Sequence, residues 1–185
     1  MVEYSIVPGR PPEDTEDFVK LFVISAPEFV PALFAGTHER FAAGCFRHKH
    51  NVLASEHTHF VKVNGKNAGM ILAYDWLVKK RQAAKSSFLT LRYMRTRFFT
   101  RMRSLQWSDA VLSKLDEGTF YISSVAFYAQ FRNQGWGTRL LAHVEDIARR
   151  SGTRRLDLDV ETYNKGALRF YQRFGMNTVG EPKRI

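Results

Sequence analysis

The residues best suited to chemistry lie between positions 125 and 138. Val125-Ala126-Phe127-Tyr128-Ala129-Gln130-Phe131 runs into Arg132-Asn133-Gln134-Gly135-Trp136-Gly137-Thr138. An apolar, strand-like segment thus breaks into Arg-x-x-Gly-x-Gly, and an amphipathic helix follows at once. A glycine-loosened turn at a helix start leaves backbone N–H groups without intrahelical acceptors, at the positive end of the helix dipole. Such a turn is an anion site suited to a pyrophosphate. The expected ligand is a nucleotide-like cofactor held through its diphosphate.

Two common phosphate loops are excluded by residue identity. A dinucleotide fingerprint needs a third glycine three residues after Gly137, where Leu140 stands. A Walker loop needs Lys and then Ser or Thr after its last glycine, and here Thr138 and Arg139 follow. The remaining pattern, Arg-x-x-Gly-x-Gly/Ala, resembles the pyrophosphate loop of the GNAT superfamily of N-acetyltransferases, which use acetyl-coenzyme A. A second stretch runs from Asn164 through Ala167, Tyr171 and Gly175 to Met176. It resembles the family's Asn-x-x-Ala-x-x-x-Tyr-x-x-x-Gly-Phe helix, with Met176 in place of the last aromatic. The C-terminal half is also similar to ribosomal-protein N-terminal acetyltransferases. The close likeness covers roughly residues 119–180.

The resemblance implies a set of roles. Backbone groups of Val125 and Phe127 would pair with the pantetheine arm, and an N–H there would polarise the thioester carbonyl. N–H groups from Arg132, Asn133, Gln134, Gly135, Trp136, Gly137 and Thr138 would cradle the pyrophosphate, with Gly135 and Gly137 leaving room for close approach. Asn164 would cap its helix and hydrogen-bond the pantetheine arm. Tyr171 stands where many members protonate the departing thiolate. Asp159, five residues before Asn164, matches the general-base glutamate of the ribosomal-protein enzymes, one methylene shorter. Glu161 neighbours it on the same strand face, and Ser123 or Ser124 could hold a water. The implied reaction is direct attack of a primary amine on acetyl-CoA, the amine being a small molecule or part of a peptide.

The elements that must position these residues follow from periodicity. A weakly alternating strand at Glu3 to Val7 precedes a helix that starts after Pro11 and Pro12 and buries Phe18, Leu21 and Phe22. A second helical region, Glu28 to Gly44, is interrupted near Pro31 and Gly36. Asn64-Gly65 between two apolar runs predicts a hairpin. Thr119 to Phe127 reads as a buried strand, and helix 137–150 carries Leu140, Leu141, Val144, Ile147 and Ala148 on one face. Leu156, Leu158 and Val160 alternate with acids as a further strand. Asn164 opens the next helix and Gly175 stops it. A last strand is expected over about Thr178 to Pro182. The fold expected is α/β, a GNAT-like mixed β-sheet flanked by helices, in one domain over residues 1–185. It departs from the family in a helical insertion, 78–115, between the third and fourth strands, and in a short C-terminal end. A second copy in a homodimer would supply the missing seventh strand, or the acceptor side is unusually open.

Composition narrows the setting. The chain has 185 residues and a net charge of +10. Nine of its cations fall between Lys79 and Arg103, and no acid occurs between Asp75 and Asp109. The basicity is therefore local. Aromatic and aliphatic residues are interleaved with these arginines, as in a helix that lies on an anionic membrane or grips nucleic acid. The alternative reading is thus a binding protein of this fold, docking on nucleic acid, membrane or another polyanion through the insertion. No apolar run reaches transmembrane length and no signal pattern opens the chain, so a cytoplasmic protein is expected. Cys45, His48, His50, His57 and His59 lack metal-ligand spacing, and no metal is expected.

Overall fold

The computed structural model describes residues 2–111 and 115–179. Its strands are β1 (Tyr4–Pro8), β2 (Thr58–Val63), β3 (Lys66–Asp75), β4 (Thr119–Phe127) and β5 (Arg155–Leu158). The helices are α1 (Thr15–Ser25), α2 (Phe29–Leu33), α3 (His38–Arg47), α4 (Trp76–Met94), α5 (Thr96–Val111), α6 (Trp136–Arg150) and α7 (Lys165–Arg173). One sheet runs in the order β1-β2-β3-β4-β5. The first four strands are antiparallel to their neighbours and β5 is parallel to β4, which makes the sheet mixed as expected.

Local sequence explains the hairpin. Val63 pairs with Lys66 across Asn64 and Gly65, both at positive φ (48° and 76°), the geometry of a type I′ turn. β3 that follows is almost wholly apolar because helices cover both of its faces. Phe60, Met70 and Leu72 meet Phe18, Leu21 and Phe46 of α1 and α3 on one side. Val61, Ile71, Phe120 and Ile122 meet Trp136, Leu140, Leu141 and Val144 of α6 on the other. α1 is also pinned by charge: the buried Asp14 carboxylate accepts from Lys62 Nζ (3.2 Å), Asn67 Nδ2 (3.0 Å) and the Arg10 N–H (2.9 Å).

Three expectations are adjusted. The insertion is two helices, and α4 springs straight from β3 at Trp76, where Asp75 caps it by accepting from the Val78 N–H at 2.7 Å. Arg95 at φ 54° breaks α4 from α5. β5 stops at Leu158 and leaves Val160 outside the sheet, and residues 176–179 form no strand; the rest of the expected last strand lies outside the described residues. Cys45 and the nearby histidines do not converge: among the described residues no group of three or more His, Cys, Asp or Glu stands where it could hold a metal. No helix among the described residues is long and apolar enough to cross a membrane.

β2 and α6 meet through two imidazoles. The rings of His59 and His143 lie 4.9 Å apart, and His143 Nε2 is buried without a hydrogen-bond partner. Burial, and then the neighbouring His143 and His57, push His59 down to about 4. An unfolded histidine titrates near 6.5, so between pH ~6.5 and ~4 the unfolded chain binds the extra proton. This ring's stability contribution is therefore complete above pH ~6.5 and lost as pH falls to ~4, by up to about 3 kcal/mol. Urea unfolding of wild type and His59→Asn at several pH values should show the wild-type curve falling more steeply across that window.

Candidate active site

β4 is paired unequally on its two edges. Toward β3 the pairing runs from Phe120–Asp75 to Phe127–Gly69. Toward β5 it ends at Ile122–Leu158. The register against β3 shifts between Leu72 and Ala73, where Ser123 is the extra residue of a bulge. A bulge bends and twists its strand, and this one sits where β4 leaves β5. From Ser123 onward no strand among the described residues lies beside the second edge of β4.

The backbone direction along that edge follows from one hydrogen bond. The Tyr128 N–H donates to Ala68 O at 3.0 Å, toward the β3 side. Strand alternation then turns Ala126 the same way and aims the N–H and C=O of Val125 and Phe127 at the open edge. Arg132 reaches back there, its Nε donating to Phe127 O at 3.0 Å.

The edge leads directly into the loop. Asn133 (φ 59°) and Gly135 (φ 81°) both take left-handed backbone. Gln134 braces the turn, donating from Nε2 to Gln130 O (2.7 Å) and accepting from Trp136 Nε1 (3.2 Å). The Arg132 N–H is taken by Ala129 O, so the donors left for an anion begin after it. α6 starts at Trp136 with no side-chain cap and no acid in its first turn. Its orphan N–H groups and dipole therefore present an uncompensated positive end. Arg139 adds a full charge to that end, held by the Tyr4 hydroxyl (2.7 Å) and lying 4.7 Å from the centre of the Tyr4 ring.

The two glycines do different work. A Cβ on Gly135 would meet nothing within 4 Å, so this residue is set by its φ and faces open space. A Cβ on Gly137 would come within 3.0 Å of the Phe170 ring. Gly137 therefore lets α6 seat against α7.

α7 begins at Asn164, whose Oδ1 accepts from the Ala167 N–H at 3.0 Å, the expected cap. Phe170, Tyr171 and Phe174 pack against the same core as Val125 and Phe127, on the α6 side of the sheet. Burial alone pushes the Tyr171 phenol up to about 12. It remains protonated throughout the neutral range.

Asp159 lies on the other face. Phe120, Ile122, Leu156 and Leu158 belong to the core beneath α6 and α7, and the residues that alternate with them point away. There the Tyr121 hydroxyl donates to Asp159 Oδ2 at 2.8 Å. Tyr121 is the residue that the sequence pattern misses, because it reads as one more aromatic in a buried strand. Its signal was position: it is the polar-tipped residue between Phe120 and Ile122, hence on the opposite face. Glu161 is engaged elsewhere. The Tyr163 phenol sits against Glu161 and Glu28, which together with desolvation push it up to about 12.

The structure thus holds an open β4 edge, an uncapped α6 start beyond it, Tyr171 on the core side of the sheet and the Asp159 carboxylate bound by Tyr121 on the other. The pattern of the acetyltransferase (GNAT) family matches residues 18–176. The chain belongs to this family. The GNAT protein is similar to N-alpha-acetyltransferase 50 of Danio rerio, with 36% identity over 64 residues. That match takes in 34% of this chain and 38% of the relative's own length. Its fold is shared with an N-acetyltransferase from Staphylococcus aureus Mu50 (TM-score 0.71, 19% identity, covering 97% of this chain and 93% of that one). It is shared as well with a GNAT family acetyltransferase from Elizabethkingia anophelis that has acetyl-CoA bound (TM-score 0.53, 17% identity, covering 96% and 78%).

Proposed function

We propose that this protein is an acetyl-CoA-dependent N-acetyltransferase that acetylates a primary amine by direct attack. The observation that carries the reading is the edge of β4, which from Ser123 to Phe127 has no strand beside it among the described residues and leads into the uncapped start of α6. Acetyl-CoA, when bound, supplies an activated acetyl thioester and a diphosphate. The chain's residues fit both parts. Val125 and Phe127 offer strand-like donors and acceptors to an extended arm, and a donor there polarises a carbonyl. Gly135, Trp136, Gly137 and Thr138 offer backbone N–H groups to the diphosphate. Asn164 Oδ1 is committed to its helix, which leaves its amide NH₂ to face the arm.

Proton handling is divided between the faces. An alkylammonium titrates near 10.4 and must lose a proton before it attacks. Asp159, hydrogen-bonded by Tyr121, is the acceptor of that proton, directly or through a water held by Ser123 or Ser124. The carboxylates of Asp159, Glu161 and Glu28 also give this side a negative potential that attracts a cationic amine. Tyr171 donates a hydrogen bond from its hydroxyl to the sulfur as charge develops there.

The test is acetyl-CoA turnover against a panel of peptide amino termini, polyamines and lysine derivatives, followed by free-thiol release. Asp159→Asn and Tyr121→Phe should each lower kcat/KM by ~10- to 100-fold near neutral pH. The double variant should be little worse than the poorer single, because the two act as a unit. The deficit should shrink as pH rises and the amine loses its proton unaided. Cofactor binding without acetylation of any amine would refute the reading.

A further inference from the structure

The α4–α5 insertion takes no part in the arrangement above, and its surface is unusual. On α4, Lys80, Ala84, Phe88 and Leu91 recur at i, i+4, i+8 and i+11, one exposed stripe along the helix. Arg81, Lys85 and Arg92 line one side of it, also exposed. Phe88 is 59% accessible, whereas Leu89, on the other face of the same helix, is 3% accessible and holds α4 to the body. α5 repeats the combination, with Phe99 68% accessible and Met102 exposed beside Arg103. None of these cations forms an ion pair among the described residues.

A solvated helix needs cations but has no use for Phe88 and Leu91 between them. Three occupants offer themselves, and charge and apolarity separate them. A second copy of this chain would bring the same basic surface against itself, with like charges opposed. A nucleic acid would satisfy the cations and stack on aromatic rings, but it offers nothing to Leu91 or Met102. An anionic bilayer satisfies both parts: headgroups neutralise the lysines and arginines while Phe88, Leu91 and Phe99 enter the acyl boundary. The geometry points to the α4–α5 surface as a docking site for an anionic lipid membrane, holding the enzyme at a bilayer. This inference stands independently of the acetyl-transfer chemistry.

Vesicle flotation of the full chain tests it, using phosphatidylcholine vesicles with and without phosphatidylserine. Binding should require the anionic lipid and weaken steeply with salt. Phe88→Ser with Leu91→Ser should reduce it about tenfold or more, and Arg81→Glu with Lys85→Glu at least about 25-fold. Acetyl-CoA affinity, which none of these residues touches, reports that the variants are folded. Cys45 is buried at 1% accessibility, so a Phe88→Cys variant carries an environment-sensitive dye at one exposed position. Its emission should shift to the blue on anionic vesicles. Three results would overturn the proposal. The first is equal binding to neutral vesicles, or binding that survives loss of Phe88 and Leu91 with no dye shift. The second is tight binding to DNA or RNA in place of vesicles. The third is a dimer abolished by Phe88→Ser in a protein that ignores lipid.

Discussion

A Tyr171→Phe variant is expected to turn over about 100-fold more slowly while binding acetyl-CoA within about twofold of wild type. The separation follows from where the hydroxyl sits. Phenylalanine keeps the ring that packs with Phe170 and Phe174 on the α6–α7 core, so the fold and the cradle are preserved. Only the hydroxyl is removed, and its partner, a sulfur gaining negative charge, exists only as the reaction proceeds. An interaction made only at that stage lowers kcat and kcat/KM together and leaves binding alone. The raised phenol also defines the kind of acid it is. At about 12 it lies roughly three to four units above a thiol, so full proton transfer to sulfur is uphill. In the proposed reaction Tyr171 would therefore act as a hydrogen-bond donor that remains protonated, adding no basic limb to the rate profile below pH ~11. Steady-state kinetics with calorimetry on the same variant checks both halves. Unchanged turnover would remove Tyr171 from the reaction.

The order of elements and the glycine turn before α6 were legible because they depend on local sequence. β4 spans Thr119–Phe127 as the buried-strand reading of that stretch predicts, α6 begins at the glycine turn, and Asn164 caps α7. The open edge of β4 was not legible. Leu156, Leu158 and Val160 alternate without interruption, and alternation reports which face is apolar, not whether a neighbouring strand is still hydrogen-bonded. β5 ends before Val160 because β4, bent at the Ser123 bulge, has turned away, and a bulge depends on the partner strand. The same limit hid the contact of Gly137 with Phe170 and the hydrogen bond of Tyr121 with Asp159, each between distant positions. The likeness of Arg-x-x-Gly-x-Gly to a family motif marked both glycines alike, and only packing tells a φ-driven glycine from one that permits a helix contact.

That distinction sharpens the second large effect. Gly135→Glu should weaken acetyl-CoA binding by about 100-fold or more in a calorimetric titration, with little loss of thermal stability. A carboxylate one residue before Trp136 lies at the positive end of α6, where it can accept from the N–H groups proposed to serve the diphosphate. It would replace the ligand's charge with the protein's own. The side chain has space, since a Cβ at this position meets nothing within 4 Å. The remaining cost is the backbone at φ 81°, about 1 kcal/mol for a residue with a Cβ, and the favourable charge at the helix start offsets part of it. Gly135→Asn separates the two contributions. Asparagine tolerates left-handed backbone and brings no charge, so its binding should fall by no more than about tenfold. If the two variants bind equally weakly, backbone shape rather than electrostatics governs the cradle. If both bind like wild type, the diphosphate lies elsewhere. Gly137→Ala probes the other mechanism: its methyl presses on Phe170 beside Tyr171, so its deficit should fall on turnover before it falls on cofactor affinity.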